Sequence, residues 1–319
     1  IKLKVYSTLY KFETNSGRLF MENAINWIDK YYISKYRIVL TNEQLQIPGL
    51  RTFGNHIMTS AVAPLPNHYH EDCFEFTFIL KGAISFSVEG TDYKISGNDV
   101  FMTKPNEIHS TDLTPLSAGE IIWFQLDTKD PHNFLFLSDE AANDLISRLK
   151  RINCHVIKIG HNTLHDNIKT AWKFSTELER RFLTANYITL TLYNLIEYAN
   201  QVQFKLTPDI GKAIDYILNH INLELSLDEI AKISFLSTSQ FKQKFKMQMG
   251  ITPRHFINLL KIDLSKEMLK EGRSVTEVAM ALGFSSSSYF SVVFRRYNAC
   301  SPSEYLKHKQ HIVPEYFRK

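Results

Sequence analysis

The sequence of 319 residues contains little of several residue types that mark particular protein classes. It has three cysteines, 12 glycines and 10 prolines. Cysteines that are this few and odd in number argue against a disulfide scaffold and favour a reducing compartment, so a cytoplasmic location is predicted. Few glycines and prolines together with 44% hydrophobic residues exclude collagen-like, low-complexity and largely disordered chains.

Two further signals are missing. No run approaches the ~18 uninterrupted apolar residues of a membrane span, so no membrane partner is expected. There is no glycine-rich phosphate loop and no nucleophile elbow. The sequence therefore predicts a protein that is not an enzyme, without catalytic residues and without a cofactor.

The net charge of +4 is unevenly distributed. Residues 207–319 hold 16 Lys and Arg against 11 Asp and Glu, a net charge of +5, whereas residues 1–206 carry a net charge of −1. A basic last third indicates a polyanion partner for that part, although many solvated domains carry as much charge. The length adds a prediction of two domains, because single hydrophobic cores stop growing near ~250–300 residues.

The hydrophobic pattern changes twice along the chain. In the first 50 residues, which are hard to interpret, an amphipathic helix is predicted from apolar residues at helical spacing: Phe20, Ala24, Trp27, Ile28, Tyr31 and Tyr32. From about residue 51, short alternating runs such as residues 74–80 are divided by turn residues such as Lys81-Gly82 and Glu89-Gly90. Short strands at these intervals predict an antiparallel sandwich or barrel.

A helical pattern follows from about residue 139. Apolar residues recur at steps of three and four from Leu164 to Tyr198, without glycine or proline. The pattern ends before Pro208, which can open the next helix, and a domain boundary is predicted there. A long helix pair in this position is either a dimer interface or a helical cap on the β domain, and both alternatives stay open.

The last third contains an internal repeat. Residues 226–231 (SLDEIA) resemble residues 274–279 (SVTEVA) 48 positions later, and both read as capping boxes that open a short helix. Phe241 and Phe245 match Phe290 and Phe294 at an offset of 49, so the extra residue falls in the turn. Each copy is therefore predicted to be a helix-turn-helix, whose second helix can enter a DNA major groove.

Residues 253–270 between the copies read as one helix, ~25 Å long at 1.5 Å per residue. The predicted buried stripe of this helix is Phe256, Leu259, Leu260, Leu264 and Leu269. A rigid spacer of this length can hold two recognition helices about one DNA turn apart, ~34 Å.

The second helix of each copy divides into two faces. The phenylalanine pairs are expected in the core. The opposite faces hold the predicted DNA-binding residues, which are Ser239, Lys242, Gln243 and Lys246 in the first copy and Ser287, Ser288, Ser291, Val292, Arg295 and Arg296 in the second. Lys, Gln and Ser can bond base edges and Val can touch a thymine methyl, whereas Lys246, Arg295 and Arg296 suit phosphate contacts. The alternative is a solvated helix face.

These residues resemble the AraC/XylS family of transcriptional regulators. The match runs from about residue 210 to residue 307 and is densest at residues 278–297 (VAMALGFSSSSYFSVVFRRY) and 301–305 (SPSEY). The base contacts that the resemblance implies come from Ser239, Lys242 and Gln243 in the first copy and from Ser287, Ser288, Ser291 and Val292 in the second. Two positions depart from the family pattern: Ala299 stands where Gly is usual, and Leu306 where Arg is usual.

The β region resembles the cupin motifs in the spacing of His68, His70, Glu75 and Gly82, with His109 downstream. In metal cupins these positions supply His, His, Glu and His ligands, a set that suits divalent zinc, iron, nickel or manganese. In AraC-type sensors the same barrel opening holds a small effector. Effector pocket, metal site and structural polar residues stay open; the effector pocket is preferred and no metal is assigned. Trp123 either stacks on a sugar ring or fills the core.

The sequence therefore predicts two domains, an N-terminal mainly-β cupin-like jelly-roll barrel with flanking helices and a C-terminal all-α domain with two helix-turn-helix motifs joined by a long helix. The predicted divisions are residues 1–162 (sensor, with the first ~50 residues uncertain), 163–206 (dimerisation or linker), 207–310 (DNA binding) and 311–319 (tail). The predicted ligand-binding residues are His68, His70, Glu75, His109 and Trp123.

The predicted function is that of a ligand-responsive, sequence-specific transcription activator that binds two successive major grooves. Its predicted partners are double-stranded DNA, a small-molecule effector of which a carbohydrate is one candidate, RNA polymerase and a second copy of the chain. The alternatives are a metal-dependent cupin enzyme fused to a DNA-binding module, and a constitutive regulator whose barrel only dimerises.

Overall fold

The structure is a computed structural model that describes residues 12–13, 24–111, 115–159, 163–200 and 206–307. The chain divides into two compact units. The first comprises the described residues of Ile1–Met58, Leu65–Leu113 and Gly119–Phe204, and the second those of Thr59–Pro64, Thr114–Ala118 and Lys205–Lys319. In the ranges described, no helix is both long and apolar enough to cross a membrane.

The first unit contains thirteen short strands within its described residues. Their bounds are β1 Phe12–Glu13, β2 Ile25–Asn26, β3 Tyr32–Ile33, β4 Arg37–Thr41, β5 Leu50–Met58, β6 His68–Tyr69, β7 Cys73–Lys81, β8 Ala83–Val88, β9 Thr91–Ser96, β10 Asp99–Thr103, β11 His109–Ser110, β12 Gly119–Asp127 and β13 Val156–Lys158. They form a six-stranded sheet in the order β1-β9-β8-β11-β6-β2 and a seven-stranded sheet in the order β13-β10-β7-β12-β5-β4-β3. The two-sheet, mainly antiparallel β domain predicted from the sequence is confirmed.

Strand β7, in the middle of the seven-stranded sheet, is buried along most of its length, so both of its faces are covered. Its phenylalanines, Phe74, Phe76 and Phe78, pack in one apolar core with residues of β12 and of the helices that follow the strands. The alternate residues point to the other face, because side chains along a strand alternate in direction. Glu75 lies on that other face, opposite Gln125 of β12.

The helix predicted near the N-terminus is wrong for its described residues. The segment from Ala24 to Ile33 is extended: β2 pairs in parallel with β6, and β3 pairs with β4 at the edge of the larger sheet. Ile28, Tyr31 and Tyr32 are half or more exposed, so a helix there has no apolar face to bury. Phe20, which belongs to the same pattern, lies outside the described residues.

The helices of the first unit are α1 Asn42–Leu45, α2 Asp139–Lys150, α3 Thr163–Ser175 and α4 Arg181–Asn200, with 3₁₀ turns at Phe134–Phe136 and Leu178–Arg180. Ile168 of α3 and Ile188 and Leu192 of α4 are fully buried in the same core as the phenylalanines of the large sheet. The predicted helix pair is therefore present, and one of its faces caps the β domain.

In its long segment, the described residues 206–307 of the second unit form helices and the turns between them. Its helices are α5 Pro208–Asn219, α6 Leu227–Ile233, α7 Thr238–Met249, α8 Pro253–Lys270, α9 Val275–Ala281, α10 Ser287–Tyr297 and α11 Pro302–Lys307. Proline opens α5, α8 and α11, where a missing amide hydrogen leaves no helical bond unmade. The spacer helix predicted over residues 253–270 matches α8.

Two apolar cores share helix α8. Phe256 and Ile257 belong to a core with residues of α5, α6 and α7, and Ile262 and Leu269 belong to a second core with residues of α9 and α10. The predicted stripe of α8 is wrong at Leu264, which is 42% exposed. The stripe could not be placed correctly from apolar residues alone, because two polar residues occupy buried positions of the helix, Lys261 and Ser265.

Candidate functional site

The turns of the two helix-turn-helix copies have the same hydrogen bonds. Phe235 N donates to Lys232 O at 3.0 Å and Leu236 N to Ala231 O at 3.0 Å. In the second copy, 48 residues later, Gly283 N donates to Met280 O at 3.0 Å and Phe284 N to Ala279 O at 2.9 Å. The next helices begin after Ser237 and Ser286, so the extra residue of the second copy follows this turn.

The caps of the two copies differ at one position. Ser274 and Glu277 form the predicted capping box at the start of α9. Ser226, at the start of α6, makes no side-chain cap, and Glu229 instead accepts a hydrogen bond from the Tyr216 hydroxyl at 2.8 Å. The capping box predicted at Ser226 is therefore wrong, because a tyrosine of the preceding helix binds the glutamate that would complete it.

The second helices present the predicted faces. Phe241, Phe245, Phe290 and Phe294 are all fully buried. On the opposite face of α7, Ser239, Lys242, Gln243 and Lys246 are exposed. On α10, Ser288, Val292, Arg295 and Arg296 are exposed, and Ser287 and Ser291 are half-buried. Each second helix thus offers polar side chains to a partner from a surface fixed by two buried aromatic rings.

Ser291 differs from the other predicted contact residues in its hydrogen bonding. Its hydroxyl donates to Ser287 O at 2.8 Å, within the same helix. The hydroxyl proton is therefore in use, and Ser291 retains only its capacity to accept a hydrogen bond from a partner.

In the first unit, three histidines meet inside the β domain. His68 on β6 pairs directly with His109 on β11, and His70 follows β6. All three are buried, and they offer ligand atoms that lie within 4.8 Å of one another. The structure therefore brings together three of the predicted ligand residues, and the fourth, Glu75, joins them from β7.

The backbone fixes the orientation of each imidazole. The Nδ1 atoms of His68, His70 and His109 lie 2.7, 2.9 and 3.0 Å from the carbonyl oxygens of Pro66, Trp27 and Glu107. A carbonyl only accepts, so each Nδ1 is the donor, and the neutral ring carries its lone pair on Nε2. This is the tautomer that a metal-binding or hydrogen-bond-accepting histidine needs.

Glu75 supplies the negative charge of the cluster. One oxygen, Oε2, lies 2.9 Å from His70 Nε2, and the other, Oε1, lies 3.9 Å from His109 Nε2. Burial alone would raise the pKa of Glu75, but His70 and His109 hold it well below its usual range. Burial would likewise lower the pKa of His70, and the charge and hydrogen bond of Glu75 raise it instead. The two side chains form a buried pair.

His109 has the opposite electrostatic character. Burial and the neighbouring His68 lower its pKa to about 3, so the ring stays neutral at any physiological pH. Within the described part of the chain, its Nε2 is buried and has no hydrogen-bond partner. A buried acceptor without a partner costs about 1–3 kcal/mol, so it is a position where a bound group would be stabilised.

Sequence reasoning missed two residues of this site, Gln125 and Asp29. Gln125 Nε2 donates to Glu75 Oε2 and to Asp29 Oδ2, each at 3.0 Å. Asp29 also accepts from the indoles of Trp27 at 3.3 Å and Trp123 at 3.5 Å. Gln125 is signalled by its place as a polar residue in an apolar strand, whereas Asp29 lies in the segment misread as a helix.

Trp123 is buried and does not belong to the histidine cluster itself. It reaches the cluster through Asp29 and Gln125, and its ring fills the space beside Gly54, where an added Cβ would lie 2.4 Å from it. The guanidinium of Arg37 lies 5.6 Å from the ring centroid of Trp123. Its present role is packing, with one indole hydrogen bond.

The residues of the cluster fit a divalent metal. The three imidazoles converge, a carboxylate lies beside them, and each Nδ1 is bonded to a backbone carbonyl, so that Nε2 is the atom that each deprotonated ring can offer to a metal. Imidazole with carboxylate suits zinc, iron, nickel or manganese. When bound, such an ion would be held by His68, His70, His109 and Glu75 and would act as a Lewis acid.

Comparison with known proteins identifies the domains. Residues 230–308 match the model of a helix-turn-helix domain, and residues 58–114 match that of a cupin domain. The chain combines an AraC-type helix-turn-helix domain with an N-terminal cupin domain, as a transcriptional regulator of the AraC type does. Both resemblances predicted from the sequence are confirmed.

Several proteins with similar sequences are named as transcriptional regulators. The probable transcriptional regulator LumQ of Photobacterium leiognathi is 40% identical over 92 residues, which are 28% of this chain and 37% of LumQ. The transcriptional activator RhaS of Enterobacter sp. (strain 638) is 24% identical over 259 residues, 76% of this chain and 87% of RhaS. A structure of ToxT from Vibrio cholerae matches with a TM-score of 0.32 and 19% identity over 80% of this chain and 98% of ToxT.

The chain spans about a third of the length of the first curated relatives that it matches. These include uncharacterised helix-turn-helix regulators of Staphylococcus aureus, which are 23% identical over 240 residues, 72% of this chain and 30% of the relative.

Proposed function

We propose that the protein is a ligand-responsive, sequence-specific transcription activator that binds two successive major grooves of double-stranded DNA and acts in the cytoplasm. The observation that carries this proposal is the pair of matching turns, each followed by a helix with two buried phenylalanines and an exposed polar face. A helix held by its apolar face leaves the polar face free to read base edges.

We assign different roles to the exposed residues. Lys242 and Gln243 can each bond base edges, and Val292 can touch a thymine methyl, so these would specify sequence together with Ser239, Ser287, Ser288 and Ser291. Lys246, Arg295 and Arg296 would contact phosphates and fix the position of the protein on the duplex.

Binding of the full chain to a selected duplex and to a scrambled duplex tests these roles. The variant Gln243→Ala should lose about 1–3 kcal/mol on the selected site and little on the scrambled one. The variant Arg295→Ala should weaken binding to both duplexes alike. Lys270→Ala, which removes an exposed lysine of α8, serves as the control and should bind as the wild type does. Equal losses by Gln243→Ala on both duplexes would contradict the assignment.

We further propose that the histidine cluster and its neighbours bind a small-molecule effector, with sugars as the first candidate class. Two buried acceptors without a partner among the described residues support this, His109 Nε2 and Gln125 Oε1, because hydroxyl groups of a ligand would satisfy both. His68, His70, Glu75 and Trp123 would complete the site. The effector can switch the protein only by binding one conformational state more tightly than another.

Thermal unfolding of the full chain with a panel of sugars and other metabolites tests the sensor. A specific ligand should raise the unfolding temperature in a saturable manner, and the Gln125→Leu variant should abolish the shift. If no compound on a broad panel stabilises the wild type, the result contradicts the effector proposal and favours a constitutive regulator whose barrel only dimerises.

The convergence of three Nε2 atoms favours a second candidate, a divalent metal centre that would open the way to enzyme activity. Metal analysis of the purified protein decides between the two. About one transition-metal ion per chain, lost in His109→Phe, would support the metal centre. A metal-free protein that still responds to an organic ligand would exclude it.

We propose the domain division as residues 1–162 for sensing, 163–206 for dimerisation and 207–310 for DNA binding, with RNA polymerase as a further partner. Exposed apolar side chains on and beside α4 support a homodimer through this segment, namely Leu178, Phe182, Leu183 and Leu190. Sedimentation of wild type and Leu183→Glu tests it: the variant should sediment as a monomer. A wild type that is monomeric at micromolar concentration contradicts the proposal.

A further inference from the structure

Lys261 places a cation inside the helix-turn-helix unit. It is 4% exposed and lies on the buried stripe of α8 between Ile257 and Ser265. Its Nζ donates to Leu223 O at 2.8 Å and approaches Gly283 O at 3.5 Å, and it lies 5.3 Å from the ring centroid of Phe284. The ammonium is therefore held by backbone carbonyls and an aromatic ring instead of by a carboxylate.

The two carbonyls belong to different halves of the unit. Leu223 lies between α5 and α6, beside the first helix-turn-helix, and Gly283 is the turn residue of the second. The two backbones also touch directly: a Cβ added to Gly283 would lie 2.4 Å from Leu223 C and 2.5 Å from Glu224 N. Lys261 thus stands at the junction where the halves meet, on the helix that connects them.

The equivalent turn of the first copy has no such restriction. Phe235 has a φ of 56°, close to the 60° of Gly283, yet its side chain is 83% exposed. Both turns need the left-handed conformation that glycine adopts most readily. The second copy also needs the missing side chain, because the other half occupies that space.

Burial makes this lysine costly. Desolvation, with a smaller contribution from Arg254, lowers the pKa of Lys261 to about 8, and Glu224 opposes the shift. An apolar side chain of similar length would fill the same stripe without that cost. The ammonium adds directional hydrogen bonds, because it bonds two backbone carbonyls at one particular separation. An apolar side chain cannot do this.

We propose that Lys261 is a positioning residue that fixes the two helix-turn-helix halves in one mutual orientation, and thereby sets the spacing between the two base blocks that the protein accepts. This inference rests on the proposed two-groove DNA binding and names the part of the chain that determines its spacing preference.

The test begins with the full wild-type chain and a random duplex library, from which a two-block site is selected. Duplexes with one base pair added or removed between the blocks are then compared with the selected duplex. Wild type should bind the altered duplexes about tenfold more weakly or worse, because one block falls out of register. Lys261→Met should lose affinity for the selected duplex and prefer it by less than about threefold. Lys270→Met, which removes the same charge from an exposed position, should keep the wild-type preference.

A second pair of variants tests the junction with Lys261 still in place. Gly283→Ala adds a methyl group against the backbone of Leu223, whereas Phe235→Ala places the same residue in the same turn conformation where space is open. Gly283→Ala should reduce the spacing preference, and Phe235→Ala should not. This comparison remains informative if Lys261→Met does not fold, since both variants have alanine at a left-handed φ and only residue 283 faces the backbone of the other half.

The outcomes separate the inference from the function on which it rests. A wild type that selects a single block, or no DNA, refutes two-groove binding before any variant is measured, and the inference fails with it. A wild type with a clear spacing preference that Lys261→Met and Gly283→Ala both retain refutes the inference alone. Loss of thermal stability without a change in the ratio of affinities assigns Lys261 a purely structural role and also overturns the proposal.

Discussion

Buried polar side chains distinguish the two units of this protein at the scale of single residues. In the β domain, Glu75, His70 and Gln125 bond one another, so their burial is compensated within one network. In the helical unit, Lys261 is compensated by backbone carbonyls. His255 is different, because its Nε2 is buried and has no hydrogen-bond partner among the residues described.

The first residue-scale prediction concerns α8. Leu269 is fully buried and Leu264 is 42% exposed, although both belong to the same apolar pattern. Leu269→Ala should lower the free energy of unfolding by about 2–5 kcal/mol, because it removes core contacts and leaves a cavity. Leu264→Ala should change it by less than ~0.5 kcal/mol. Denaturant unfolding of the full chain measures both, and similar losses would show that the assigned face of α8 is wrong.

The second residue-scale prediction concerns the loss of stability at acid pH. Burial, aided by the charge of Arg296, lowers the pKa of His255 to about 4, against about 6.5 in an unfolded chain. The unfolded chain therefore binds the proton first as the pH falls. The contribution of His255 to the free energy of unfolding is fully present above about pH 7 and is lost as the pH falls from about 6.5 to 4. The loss amounts to about 2 kcal/mol at pH 5.

The variant His255→Gln isolates this contribution, since other buried histidines also titrate. Between pH 7 and pH 5 the variant should lose about 2 kcal/mol less stability than wild type. Identical pH profiles for wild type and His255→Gln would contradict the depressed pKa.

At the scale of elements, the repeat allows a matched experiment on helix caps. Ser274 caps α9 with a complete capping box, and Ser226 begins α6 without a side-chain cap. Ser274→Ala should cost about 1 kcal/mol of stability, and Ser226→Ala appreciably less. Thermal unfolding of the two variants measures the difference. Equal costs would indicate that Ser226 caps its helix in solution.

Elements whose pattern depends on local chemistry could be predicted from the sequence. The span of α8 and the i, i+4 phenylalanine pairs of α7 and α10 follow from local signals, and each is found as expected. The meeting of His68, His70, Glu75 and His109 in one cluster also follows from a local signal, the motif spacing of these four residues.

Elements that depend on distant partners could not be predicted. Residues 25–26 form a strand because they pair with residues 68–69, and no local period encodes that pairing. Asp29 enters the site through the same segment. Glu229 does not complete the predicted capping box, because it accepts a hydrogen bond from Tyr216 on another helix. In each case a contact made by folding overrides a local preference that the sequence displays.

The charge of the whole molecule leads to the last prediction. Residues 207–319 carry the excess positive charge, and Arg295 and Arg296 are exposed together at the end of α10. Replacing both by alanine should lower the slope of log affinity against log salt concentration by about 2, since each phosphate contact contributes about 0.9. Fluorescence anisotropy over a salt series measures the slope.

A variant with both Lys270→Ala and Arg273→Ala is the control for total charge. It loses the same two charges from exposed positions outside the second helices, so its slope should match the wild type more closely. Equal changes in slope for the two double variants would mean that the overall field, and not phosphate contact by α10, determines the salt dependence.

The sharing of α8 between two cores has a consequence for how the helical unit comes apart. Unfolding of either half would strip one side of α8, with Phe256 and Ile257 exposed in one case and Ile262 and Leu269 in the other. The surviving half would then have to retain a helix that has lost much of its apolar contact. The two helix-turn-helix halves are therefore expected to unfold cooperatively, and a partly unfolded state in which one half still binds DNA is disfavoured.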